Sequence, residues 1–338
     1  MRICFAYNVK HKDPSVKISE QDEQEYDSPE VIGLIRSAIE ESGHQVTEVN
    51  ADREAFNKLK ELKDKIDLVF TIAEGIHGDA RESQIPMYCE VLKIPYTHSS
   101  PTTHAISLDK LFTKLVLKAV GIKVPNSFII WSLEDRIARL RYPVIIKPNS
   151  EGSSVGIMNE NVVSDRKKLL KRLKEIYTSG FNGSMLVEEF IKGREFTVSV
   201  IGNDPPEILP IVEQRFDFLP KGFQQIAGYE LKWFFEDKLA RLEDAYDCPA
   251  KIDGELEKKI NDATLLAYKT LRILDCARVD YRLKENGELY LLEVNTIPGL
   301  NFNEKEISYF PLSSRIAGMK PKDVVGEIIN SARKRYGI

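Results

Sequence analysis

The segment from Arg278 to Gly299, RVDYRLKENGELYLLEVNTIPG, restricts the fold more than any other stretch of the chain. Two runs of alternating character flank Asn286-Gly287, a dipeptide that accepts positive φ at both positions and marks a hairpin. With those two residues as the loop, Asp280 stands opposite Glu293 and Arg278 opposite Asn295. Val279 opposite Val294, Tyr281 opposite Leu292 and Leu283 opposite Tyr290 then make an apolar face. One face is expected to be core and the other chemistry. Two carboxylates opposed at ~5 Å repel by ~3 kcal/mol at an effective dielectric of about 20, a conflict that a divalent cation removes. An all-oxygen set of Asp280, Glu293 and Asn295 suits Mg²⁺ beside nucleotide phosphates. The alternative is a solvated outer face, which is common on antiparallel sheets. A four-residue loop would keep every residue on its face, whereas an odd loop would break the pairing argument.

A chain of 338 residues exceeds one typical core, and its 42% hydrophobic and 30% charged content describes a globular protein of two or three domains. The net charge of −4 offers no global attraction for nucleic acid or an anionic membrane, so neither is an expected partner. Cys4, Cys89, Cys248 and Cys276 have no CxxC spacing and are expected to be buried free thiols in a reducing cytoplasm. Residues 1–7 lack the character of a signal peptide, and no apolar run approaches ~18 residues, so the expected location is cytoplasmic.

Residues 1–98 alternate strand and helix. Ile3 to Tyr7 reads as a buried strand, Ser28 caps a helix opened by Pro29 and stopped by Gly43, and Gln45 to Val49 and Asp67 to Ile72 are further strands. The pattern predicts a βαβ domain with a parallel sheet, whose ligand loops are Lys10 to Asp27 and Ala73 to Gln84. The first is a substrate lid or a surface loop. The second gathers Glu74, His77, Asp79, Arg81 and Glu82, as a site or as a solvated turn. Ser107 begins a predicted helix with an apolar stripe through Leu108, Leu111, Phe112, Leu115, Val116 and Ala119, which leaves Lys110 off the stripe.

The strand Val144 to Lys147 runs into PNSEGSSVG at 148–156. Its glycines, hydroxyls and preceding lysine suit a phosphate loop, though it is not a Walker A motif. Met185 to Val200 reads as strand, turn at Lys192-Gly193, and strand; Glu188, Ile191 and Glu195 there suit a nucleobase pocket, an ordinary hairpin being the alternative. Phe223 to Asp247 reads as an ordered loop, and Leu256 to Leu274 and Asp323 to Tyr336 as helices.

With these features together the chain resembles the D-alanine:D-alanine ligase family of the ATP-grasp superfamily. The resemblance rests on EGSSVG at 151–156, VEEFIKGREFTV at 187–198, RVD at 278–280 and LLEVNTIPG at 291–299, in the family's order and approximate spacing. It implies an α/β (α+β) ATP-grasp fold: a parallel-sheet substrate domain over 1–98, a central subdomain over 99–183, and a C-terminal antiparallel-sheet subdomain over 184–338. ATP would lie between the last two. Lys110 and Lys147 would then contact ATP phosphates, with Ser153 and Ser154 in the loop above them. Glu188 and Ile191 would flank the adenine, and Glu195 the ribose. Asp280, Glu293 and Asn295 match Mg²⁺ ligands, with Mn²⁺ as a substitute, and Lys232 a phosphate-binding lysine. Arg278 and the Gly299 N–H match an oxyanion site, and Ser308 a carboxylate contact of the second substrate.

The implied reaction is ADP-forming ligation of a small carboxylate and an amine, such as amino acids or dipeptides, through an acyl phosphate; a homodimer is compatible with the resemblance. Departures gather at the substrate end. Glu23 or Glu25 must replace the family's amine-binding glutamate, AEGIHGDARESQ replaces its His-Gly and Gly-Glu-Asp-Gly segment, Trp233 replaces a tyrosine, and extra residues precede Ser308. These departures predict altered amino-acid specificity, with a genuine D-alanine:D-alanine ligase and a nucleotide-binding regulator as the alternatives.

Overall fold

The computed structural model describes residues 1–10, 23, 25–152, 156–231, 235–236, 239 and 241–338. Ser153, Ser154, Lys232 and Trp233 lie outside the described residues, as does most of the Lys10 to Asp27 loop.

Three sheets organise the chain. The first is parallel, in the order β2 (Gln45–Asn50), β1 (Arg2–Tyr7), β3 (Leu68–Thr71). Alternate residues of β1 feed two cores. Ile3 and Phe5 pack with α1 (Pro29–Glu41), whereas Cys4 and Ala6 pack with α2 (Ala55–Leu62) and α3 (Gln84–Leu92). This two-sided burial is the expected setting of a parallel sheet. Ser28 caps α1 through the Val31 N–H, with Pro29 opening the helix and Gly43 following it at φ +88°.

Next come α4 (Pro101–Leu108) and α5 (Lys110–Ala119). The single helix expected from Ser107 is in fact two. Asp109 interrupts them and caps α5 by accepting from the Phe112 N–H at 2.8 Å. The stripe is also reversed: Phe112 and Leu115 are exposed, while Lys110 and Lys114 are buried. Lysines at i and i+4 share one helix face, and here that face points inward.

The second sheet is antiparallel, in the order β4 (Ser127–Ile130), β7 (Met185–Glu189), β5 (Val144–Pro148), β6 (Val162–Val163), and packs against α6 (Arg166–Thr178). The third has the order β11 (Tyr246–Asp247), β10 (Val212–Gln214), β8 (Arg194–Ile201), β12 (Cys276–Leu283), β13 (Leu289–Asn295), with β9 (Glu207–Ile208) added beside β8. Its apolar face, including Phe196, Val198, Val279 and Tyr281, packs with Ile260, Ala267 and Tyr268 of α7 (Gly254–Thr270). The segment from Met185 to Val200 is therefore no hairpin, because β7 and β8 belong to different sheets. Gly193 makes the passage possible: its φ is +139°, and a Cβ there would lie 1.9 Å from the Leu283 carbonyl oxygen.

The β12–β13 pairing follows the expected register where it matters, with Arg278 opposite Asn295, Val279 opposite Val294 and Asp280 opposite Glu293. Beyond Asp280 it shifts, so that Tyr281 faces Leu291 and Leu283 faces Leu289. The loop is not the two-residue turn expected. Gly287 donates to the Lys284 carbonyl and Lys284 to the Glu288 carbonyl, both at 2.9 Å, which describes an odd loop with Gly287 at φ +80°. A bulge at Leu292 absorbs the odd residue and restores the register toward Asp280.

After α8 (Tyr309–Ile316), the helix α9 (Pro321–Tyr336) returns to the first sheet, where Val325, Ile328 and Ile329 join the core of Ile3, Ile35 and Phe70. A polar knot fastens this return. The buried Asp275 carboxylate accepts from Arg335 at 2.9 Å, from the Asn203 amide at 2.7 Å and from the His98 N–H at 2.8 Å. Arg335 also donates to the Tyr96 carbonyl at 2.9 Å. Cys4, Cys89 and Cys276 are buried free thiols, and Cys248 is half-buried. Among the described residues no helix is long and apolar enough to cross a membrane. Arg335→Met leaves Asp275 without its cation, so unfolding in urea should show a loss of about 3 kcal/mol.

Candidate active site

The polar faces of the two antiparallel sheets look at each other across a cleft. The second sheet contributes Ile145, Lys147 and Glu188; the third contributes Glu195, Thr197, Arg278, Asp280, Arg282, Leu292 and Glu293. Strand alternation explains the sorting, since Val144, Ile146 and Val187 of the same strands point into the opposite core. The bulge explains why the consecutive residues Leu292 and Glu293 both line the cleft. Ile145, Ile157, Ile191, Ile226 and Leu292 supply apolar lining to the cleft, and charged side chains supply the rest of it. Such a cleft, apolar with convergent polar groups, is the usual form of a small-molecule site.

Charge pairing fixes the charged lining. Lys147 Nζ is 2.7 Å and Lys114 Nζ 3.3 Å from the two carboxylate oxygens of Glu188, and all three side chains are buried. Burial works against the Glu188 charge, yet Lys114 and Lys147 hold its carboxyl below the usual range. Burial pulls Lys114 down to about 8 against the opposing pull of Glu188. Two backbone contacts seat α5 beside β5: the Lys110 N–H donates to the Asn149 carbonyl at 3.2 Å, and the Leu111 N–H to the Asn149 side chain at 3.1 Å.

Asp280 accepts from the Thr197 hydroxyl at 2.8 Å, from the Asn295 amide at 3.2 Å and from Arg278 at 3.3 Å. Burial and the facing Glu293 raise its carboxyl. For Glu293 burial acts in the same direction, but Lys110, Lys147, Arg278 and Lys114 together pull it down to about 2. The opposed pair is thus embedded in four cations. Arg282 pairs with Glu195 at 2.5 Å and donates to the Gly193 carbonyl at 3.1 Å, so the glutamate expected at a ribose is already held in position.

Beside Lys110, whose Nζ donates to the Glu151 carbonyl, loops that follow strands of the first sheet contribute a second group. Arg81 is buried and donates to Glu25, to Glu151 at 3.0 Å and to the Ser150 carbonyl at 2.6 Å. Glu74 and Glu82 lie within its electrostatic reach; burial and then Glu25 push Glu74 well above the usual carboxylate range and Glu82 to about 7. Ser308 donates to the Gly299 carbonyl at 3.1 Å, which brings the remaining two expected residues together.

A family model described as the D-ala D-ala ligase C-terminus matches residues 125–330. A D-alanine–D-alanine ligase of Aquifex aeolicus is 33% identical, over 87% of this chain and 92% of that protein. The chain belongs to the D-alanine–D-alanine ligase family. An uncharacterized protein of Sinorhizobium fredii, y4sG, is 31% identical over 94% of this chain and 91% of its own length. The crystal structure of a Bacillus anthracis D-alanine–D-alanine ligase complexed with ATP superposes with a TM-score of 0.75 at 22% identity, over 100% of this chain and 99% of that one, and so shows the shared fold.

Of the residues expected from the sequence, the ligase-family cleft gathers Lys147, Glu188, Ile191, Glu195, Arg278, Asp280 and Glu293 along its walls. Lys110 acts electrostatically on Glu293, and Asn295 bonds Asp280. Glu25 joins the Arg81 group, and Glu23 is buried. His77 and Asp79 are exposed, whereas Glu74, Arg81 and Glu82 turn inward. Lys114, Thr197, Arg282, Leu292 and Tyr309, the last also lining the cleft, were missed. The i,i+4 spacing of Lys110 and Lys114 was the available signal for the first of these.

Among the described residues, no three His, Cys, Asp or Glu side chains converge as a complete metal cage. Two opposed carboxylates and the Asn295 amide, whose nitrogen faces Asp280 and leaves its oxygen free to donate, fit a hard cation. Such a cation takes the rest of its shell from phosphate oxygens and water, the usual manner of Mg²⁺. Asp280→Asn removes the carboxylate whose charge burial and Glu293 disfavour, so the apoprotein should keep its thermal midpoint. Its stabilisation by Mg²⁺ should vanish, and the Mg²⁺ concentration for half-maximal ATP turnover should rise at least ~10-fold, as expected when a ligating carboxylate is lost.

Proposed function

We propose that the chain is an ATP-dependent, ADP-forming carboxylate–amine ligase that joins two amino-acid-like substrates in the cytoplasm through an acyl phosphate. The observation that carries the reading is the cleft itself, where Lys110, Lys114, Lys147 and Arg278 surround the opposed carboxylates of Asp280 and Glu293. Phosphoryl transfer asks a protein for positioning and charge neutralisation more than for a nucleophile. The Thr197 hydroxyl donates to Asp280 and so is engaged as a structural donor.

In the first step a carboxylate oxygen of one substrate bonds to the γ-phosphorus of ATP as the bond to the β-phosphate oxygen breaks, giving an acyl phosphate and ADP. In the second, the amine of the other substrate attacks the acyl carbon, loses its proton and expels inorganic phosphate. Lys147 and Lys114, fixed by Glu188, hold phosphate charge without reorganising during the reaction. A divalent cation held by Asp280, Glu293 and Asn295 supplies further neutralisation of the phosphates. Arg278, fixed against Asp280, presents the rest of its guanidinium to the oxyanion that forms on the acyl carbon, with the Gly299 N–H as its partner donor. The apolar lining beside Glu188 and Ile191 receives the base.

The substrate end supports a selectivity other than that of a D-alanine–D-alanine ligase. Arg81, Glu25, Glu74 and Glu82 form a charged group where the family pattern has a different segment. A D-alanine–D-alanine ligase is the second reading, favoured by the Aquifex aeolicus relative. A panel of D- and L-amino acids and dipeptides, assayed for ADP release and for product, separates the two. Turnover with D-alanine alone that exceeds every other substrate establishes the second reading. With whichever substrates work best, Arg278→Ala should lower kcat about 100-fold or more while the ATP Kd stays close to wild type.

A further inference from the structure

Arg81 is fixed more firmly than a surface turn requires. It begins a short turn, Arg81–Ser83, ahead of α3. Gly75, at φ +81°, packs so closely on it that a Cβ there would stand 2.2 Å from the Arg81 carbonyl oxygen. The Gly75 N–H donates to the Asn8 side chain at 2.9 Å, and the Gly75 carbonyl accepts from the Tyr26 hydroxyl at 3.0 Å. Glu25 and Arg81 are therefore anchored, through Tyr26 and Gly75, to the same point of the first sheet.

From that anchor both side chains reach the stem of the phosphate loop. Arg81 donates to the Ser150 carbonyl at 2.6 Å and to the Glu151 carboxylate at 3.0 Å. One Glu25 oxygen accepts from Arg81 and the other from the Gly152 N–H. A Cβ at Gly152 would lie 2.6 Å from that second oxygen, so a larger residue there would push the Glu25 carboxylate aside. Lys110 completes the stem by donating to the Glu151 carbonyl. Among the described residues the side-chain hydrogen bonds of Arg81 run to the Glu25 carboxylate and to Ser150 and Glu151, which follow, after Asn149, the strand carrying Lys147.

We propose that Arg81 is a positioning residue that ties Glu25 at the substrate end to the Ser150–Gly152 stem, so that occupancy of the amino-acid site and the setting of the phosphate loop are coupled. The inference rests on the ligase reading for its functional consequence. Its geometric half needs only the residues named. Each oxygen of Glu25 already accepts one bond, so a substrate ammonium arriving there shares the carboxylate with Arg81 and the Gly152 N–H and weakens their hold on it. One cation, Arg81, faces two carboxylates, Glu25 and Glu151, so an ammonium is attracted to the place where it changes those contacts. A ligand can move an equilibrium only by contacting its states differently, and here the difference falls on Glu25. Arg81 acts through Glu25 and the stem.

The test uses the full-length protein and hydrogen exchange over peptides spanning 149–152, without any amino acid. Arg81→Gln and, separately, Gly152→Ala should each raise exchange there about 10-fold, with β1 and β3 peptides unchanged, and Arg81→Lys should restore protection to within about 3-fold. The same variants, given ATP and Mg²⁺, should release ADP without amino acid, and D-alanine as the probe should stimulate that release less than in wild type. Unchanged exchange at 149–152, failure of Arg81→Lys to rescue, or equal acceleration in β1 and β3 would each overturn the proposal, the last by making Arg81 a general fold residue. Because exchange is read without substrate, it stands apart from the ligase reading. A wild-type protein that turns over no substrate would instead count against that reading.

Discussion

Two like charges held face to face across a hairpin are the constraint that the rest of the molecule answers. Asp280 and Glu293 are fixed opposite one another by the β12–β13 register, and the backbone gives them no means of separating. Cations brought from two other places, Lys110 and Lys114 on α5 and Lys147 on β5, offset the conflict together with Arg278, two residues along β12 itself. Burying those cations carries its own desolvation cost, which Glu188 offsets by pairing with two of them. The result is a cleft whose charges are mutually dependent, and which gains most when phosphate enters, because phosphate satisfies the lysines while a metal satisfies the carboxylates.

That chain of dependence explains what could be read from the sequence. The face assignment of Arg278, Asp280, Glu293 and Asn295 follows from a strand period of two and a glycine that accepts positive φ, both local properties. The odd loop and the bulge at Leu292 were not legible, because two one-residue errors cancel at the only pairs that carry chemistry. Helix α5 was misread for a physical reason. Periodicity identifies an apolar stripe, but it cannot say which face a helix buries when the buried face is wanted for charge. Phe112 and Leu115 are outside because Lys110 and Lys114 must be inside.

The passage from β7 to β8 shows a second limit. Two strands separated by four residues usually pair, and the sequence offered no hint that they lie in separate sheets. The reason is tertiary, since Gly193 must slip beneath the Leu283 carbonyl for the chain to leave one sheet and join another. At the substrate end, Glu25 was suggested only by resemblance. The role of Arg81 needed three distant segments to be seen together, and neither spacing nor composition encodes that.

The return of α9 to the first sheet bears on how the protein is made. Strands β1 to β3 are synthesised first, yet the core that includes Ile3, Ile35 and Phe70 also draws on Val325, Ile328 and Ile329, and the Asp275 carboxylate waits for Arg335. While the intervening residues are still emerging from the ribosome, the apolar cluster of β1, β3 and α1 lacks the part of its cover that α9 supplies. Such long-separation contacts are slow to form and expose surface in the meantime. The N-terminal unit is thus a folding debtor to the last helix of the chain, and vectorial synthesis leaves it a natural client for chaperones until residues 321–336 arrive.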